Sequence, residues 1–96
     1  MNPTARVDLH GLYPDEPELS EVIENALRMA RDNGQREVRF IHGHGFGRGY
    51  NEWRNSKQTG RLGNRVRGIL HGDMREYIFV SKTDKSNPGQ TIAVLR

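Results

Sequence analysis

In the stretch VRFIHGHGFGRGY (38–50), a run of strand-forming residues gives way to glycine at every second position, Gly43, Gly45, Gly47 and Gly49. A strand does not persist through such a segment, because each glycine adds backbone entropy and removes a side chain that could pack. The strand therefore ends at His42. Upstream, Leu19, Val22, Ile23, Ala26, Leu27 and Ala30 repeat at the i, i+3, i+4 spacing of an amphipathic helix. Asp15, Pro17 and Glu18 suit its start, and Gly34 suits its stop. Before that helix, Val7 and Leu9 alternate with Asp8 and His10 and halt at Gly11, which predicts another strand. Strand, helix, strand in this order make a right-handed βαβ unit with parallel strands. Both strands then finish at one edge of the sheet, which brings Asp8, His10 and Gly11 beside His42, Gly43 and His44. That edge is where α/β sheets usually hold their ligands.

The remaining chain adds a helix and a hairpin. Leu62, Val66, Ile69 and Leu70 have helical spacing, although Gly63 and Gly68 weaken the pattern. Thr59 is a suitable N-cap, and a helix starting near Gly60 points its free N–H groups toward the same edge, forming an anion site. EYIFVSK (76–82) and TIAVLR (91–96) alternate as strands across an Asn-Pro-Gly turn, which places Tyr77 and Phe79 in the core or on a sheet face. The predicted order is βαβαββ, an α/β (α+β) class. With 96 residues and 33% hydrophobic content, residues 1–96 are expected to form one domain. Residues 1–5 are expected to be a flexible arm and 46–58 an inserted basic and aromatic loop. Cysteine is absent, no stretch is apolar and long enough to span a bilayer, and a cytoplasmic location with no membrane partner is expected.

Charge is concentrated. Residues 1–38 hold four arginines against eight acids, whereas 39–67 hold Arg39, Arg48, Arg54, Lys57, Arg61, Arg65 and Arg67 against Glu52 alone. Guanidinium groups pair their N–H donors with phosphate oxygens, so this block suits a nucleic-acid contact, although it also suits a solvated surface. Tyr50 and Trp53 can stack on bases or pin the inserted loop to the body.

Two motifs at consecutive strand ends, Val7-Asp8-Leu9-His10-Gly11 and His42-Gly43-His44-Gly45, together with the helix start TGRL (59–62) and the closing NPGQTIAVL (87–95), resemble the Smr (small MutS-related) domain. The resemblance runs from about Arg6 to Arg96. It implies a two-layer sandwich like the C-terminal domain of translation initiation factor three, with both helices on one face of a mixed four-stranded sheet. It also implies endonuclease activity on DNA or RNA, in some members on stalled ribosomes. His44 fills a position that is often basic in the family. The sequence departs from the family in the length between Phe46 and Thr59, where many members run almost directly into the helix.

On this reading Asp8, His10 and His42 are the candidate acid–base groups, since imidazole exchanges protons near neutral pH and an aspartate orients it. Gly11, Gly43, His44, Gly45, Arg48, Arg54, Lys57, Thr59, Gly60, Arg61 and Arg65 are the candidate phosphate contacts. Two routes remain open. One histidine can deprotonate a 2′-hydroxyl while another protonates the leaving oxygen, with no obligatory cofactor. Alternatively, Asp8 and a histidine hold a divalent ion, Mg or Mn, that activates water. A module that binds DNA, RNA or the ribosome without cutting is the alternative function, and a protein-interaction domain is a third.

Overall fold

The computed structural model describes residues 3–9, 12, 17–43, 61–84, 86 and 89–96. Its elements are β1 (Thr4–Asp8), α1 (Glu18–Asp32), β2 (Glu37–Ile41), α2 (Arg61–His71), β3 (Ile78–Thr83) and β4 (Gln90–Leu95). The sheet order is β1-β2-β4-β3, with β1 parallel to β2 and β4 antiparallel to both of its neighbours. This is the expected mixed four-stranded sheet. Val38 and Phe40 on β2 share one sheet face with Ala93 on β4, and that face is sealed by Leu19, Ile23, Leu27 and Ala30 of α1 and Leu62, Val66, Ile69 and Leu70 of α2. Both helices thus cover one face, and a single buried cluster holds the two layers together. Among the described residues no helix is long and apolar enough to cross a membrane.

Two local details differ from the sequence reading. The first strand starts at Thr4, inside the expected arm of residues 1–5, because the Pro3 carbonyl accepts from the N–H groups of Arg36 and Glu37 and the Thr4 hydroxyl donates to Glu37 Oε1 at 3.0 Å. Pro17 occupies the cap of α1 with no side-chain cap bond, while the expected cap Asp15 lies outside the described residues. At the other end, Gly34 takes φ +75°, as a left-handed helix stop requires. On β3, Ile78 is buried and Phe79, next in the alternation, is 74% exposed, so of the two expected places Phe79 takes the sheet face. The expected inserted loop, 46–58, lies outside the described residues.

Candidate functional site

One rim of the molecule collects the ends of three strands and the start of a helix. Asp8 is paired in register with Ile41, so β1 and β2 finish side by side. Antiparallel β4 begins at the same rim, where Ile41 pairs with Gln90 and Phe40 with Thr91. The Gly89 carbonyl ties the loop down, accepting from the N–H groups of His42 at 3.0 Å and Gly43 at 2.9 Å. Gly43 has φ +76°, a conformation that glycine adopts without steric cost. The first turn of α2 reaches the rim through Gly63.

His42 is not the open acid–base group that the sequence suggests. Val38, Phe40 and His42 lie in one phase of β2 and its extension, and the imidazole follows them to the helix side, 4% exposed. Its Nδ1 lies 2.8 Å from the Gly43 carbonyl and its Nε2 2.8 Å from Thr91 Oγ1, whose residue is fully buried. A carbonyl only accepts, so Nδ1 carries a hydrogen. With the ring neutral, Nε2 is the acceptor and the Thr91 hydroxyl donates to it. Thr91 Oγ1 in turn accepts from Arg67 Nη1 at 3.1 Å, and Arg67 Nη2 donates to Asn64 Oδ1. A directed chain therefore runs from Arg67 through Thr91 to His42 and the loop carbonyl. Gly63 lies against the ring: a Cβ at that position would come within 2.6 Å of His42 Cε1.

Asp8 belongs to the other phase. Val7 and Leu9 pack inward while Asp8 and Arg6 are exposed, so Asp8 and the His42 ring occupy opposite faces of the sheet although their backbones adjoin. The two side chains therefore do not open into one pocket, although the strand ends lie side by side as the sequence reading expects. His10, Gly11, His44, Gly45, Arg48, Arg54, Lys57, Thr59 and Gly60 lie outside the described residues. Arg61 opens α2, and Arg65 is exposed one turn further on. Among the described residues no carboxylate pairs with Arg65 or Arg67, whereas Arg39, from the same basic stretch, is bound to Asp84 at 2.8 Å on the open face of the sheet. No group of three or more His, Asp or Glu side chains that could hold a metal ion is found among the described residues.

The sequence marks Arg67 only as part of the basic block and Gly63 only as a weak point of the helix, and it marks neither Thr91 nor Asn64 as a site residue. A signal for Thr91 was present: it is two residues before Ala93, in the buried phase of its strand, and a buried hydroxyl needs a partner.

Comparison with known proteins bears on the family. No curated protein matches the chain. Among solved structures, the crystal structure of the Smr domain of MutS2 from Thermus thermophilus matches with a TM-score of 0.69 and 29% identity, covering 96% of this chain and 98% of that one. The family model of the Smr domain matches residues 7–96. With that span and that architecture, the chain belongs to the Smr domain family.

Proposed function

We propose that the protein is a nucleic-acid endonuclease that grips the phosphate backbone of DNA or RNA at this rim and cleaves a phosphodiester there. The observation that carries this reading is the register of β1 on β2, which sets Asp8 and Leu9, the described part of the first motif, beside Ile41 and His42 at the rim that Gly63 of α2 reaches. Asp8 and His10 take the acid–base part, the aspartate orienting the imidazole two residues on. His42, with both ring nitrogens engaged, fixes the Gly43 carbonyl at the end of β2. Gly43 and Gly45, with Arg48, Arg54, Lys57, Arg61 and Arg65, take the phosphate contacts, and Arg65, which pairs with no carboxylate among the described residues, suits that work. The reaction uses the chain's own groups, and a bound Mg or Mn ion is the competing route. The partner is a nucleic acid, free or on a ribosome, and the setting is the cytoplasm.

Labelled single-stranded RNA and nicked duplex DNA, each incubated with and without chelator, test the reading. Cleavage is expected, lost in His10→Ala with binding kept. A 2′,3′-cyclic phosphate end marks the metal-free RNA route, and a 5′-phosphate end lost on chelation marks activated water. The burial of His42 favours a second reading, binding without cutting, because it removes one of the two imidazoles from direct reach. Binding with no cleavage of either substrate would establish that second reading and overturn the first.

A further inference from the structure

We infer that Arg67 is a pre-oriented phosphate-binding residue, and that Thr91 is the positioning residue that couples it to His42. The inference rests on the nucleic-acid reading above and adds to it a contact that the basic block alone does not distinguish. Arg67 is half-buried on α2, one turn beyond Gly63, and two neutral acceptors fix its guanidinium: Thr91 Oγ1 at 3.1 Å and Asn64 Oδ1. Arginine brings five N–H donors and a permanent charge. Two of those donors are committed to neutral oxygens, and no carboxylate among the described residues neutralises the charge. Arg39 shows the contrast within the same stretch, since its guanidinium already has Asp84 and Glu37. A half-buried cation held in place by neutral groups keeps its charge available and loses little side-chain freedom on meeting an anion. The anion it fits is a phosphate oxygen pair of a nucleic-acid backbone, which the guanidinium fork matches bidentately. Because Thr91 Oγ1 accepts from Arg67 and shares a second hydrogen bond with His42 Nε2, a pull on the guanidinium is felt at the imidazole and hence at the Gly43 carbonyl that bonds its Nδ1.

The test measures binding of a short fluorescent oligoribonucleotide and of nicked duplex DNA across a salt series, with ¹⁵N spectra of the His42 ring recorded alongside. Arg67→Lys keeps the charge but loses the fork; its affinity is expected to fall about tenfold, the worth of one charge-assisted hydrogen bond, with the salt slope unchanged. Arg67→Met is expected to lower that slope by about one. Thr91→Val should weaken binding as Arg67→Lys does, and Thr91→Ser should restore it. In the wild type, the His42 Nε2 resonance should shift on oligonucleotide addition, and in Thr91→Val it should not. Arg36→Lys, exposed at the opposite end of β2, is the control and should leave affinity unchanged. Wild-type binding with Arg67→Lys and Arg67→Met both unaltered overturns the Arg67 assignment while the nucleic-acid reading stands. Absence of wild-type binding to either probe overturns both.

Discussion

Gly63 and Gly68 sit one and a half turns apart on α2, and alanine at each should change stability in opposite directions. Alanine in a helix interior gains about 0.5–1 kcal/mol over glycine through backbone entropy. At Gly68, where nothing lies within 4 Å of a built Cβ, that gain is unopposed and Gly68→Ala should stabilise the protein by that amount. At Gly63 the same Cβ would lie 2.6 Å from Cε1 and 2.9 Å from Nδ1 of His42. The ring cannot simply recede, because hydrogen bonds to Thr91 and Gly43 hold both its nitrogens. Overpacking of this kind costs about 1–3 kcal/mol, and each neutral hydrogen bond broken by a tilted ring adds about 1 kcal/mol. The propensity gain is outweighed, and a net loss of about 1–3 kcal/mol is expected. For a domain of this size that lowers the melting temperature by about 4 °C or more per kcal/mol. Calorimetry together with urea titration of both variants decides the matter. If Gly63→Ala proves as stable as Gly68→Ala, the close fit between helix and imidazole is not what holds this rim.

Further predictions concern charge. Ser86, through its hydroxyl and its N–H, and the Arg39 guanidinium hold the Asp84 carboxyl below its usual range. A lowered carboxylate contributes stability above its unfolded value, about 3.9, and loses it as pH falls through the folded value. The gap in urea midpoint between wild type and Asp84→Asn should therefore be full at neutral pH and close in acid; a gap that persists in acid refutes the pairing. Tyr77 donates to Glu24 at 2.9 Å, and that bond, followed by burial and the charge of Glu24, raises the phenol above its ordinary value. Its contribution is full below the unfolded value, about 10, and fades as pH rises through the folded one. Tyr77→Phe should thus be less stable than wild type at neutral pH and converge with it in alkali, as read by near-ultraviolet circular dichroism. Replacing Arg61 and Arg65 together with alanine should reduce the salt slope of nucleic-acid binding by about two, and an unaltered slope would place the phosphate contacts elsewhere.

The architecture was legible because periodicity carries it. The alternation at Val7 and Leu9, the helical spacing from Leu19 to Ala30 and the turn before β4 each have one physical reading, and the two parallel strand ends follow from the crossover. The same two-residue period bore on the site as well. Val38, Phe40 and His42 share a phase, which sends the imidazole inward, and Asp8 shares the phase of Arg6, which sends the carboxylate outward. Motif adjacency concealed this, since neighbouring strand ends need not aim their side chains the same way. The hydrogen-bond chain from Arg67 to His42 was less legible, because it needs the helix placed over β4 before Thr91 and Arg67 can meet. The β3 register shift between Ile78 and Val80 was not legible, since no residue type announces it.

Among the described strands the sheet ends on β1 at one side and on β3 at the other, and a sheet border is a potential template for a foreign strand. The β3 border is spoiled by its displaced register and by Lys82, while the β1 border is only five residues long and bears Arg6 and Asp8 on its outward phase. A charge at Asp8 disfavours pairing of that border with a second strand. Neutralising it to probe chemistry also strips a charge from that border, so light scattering belongs beside every activity measurement on an Asp8 variant.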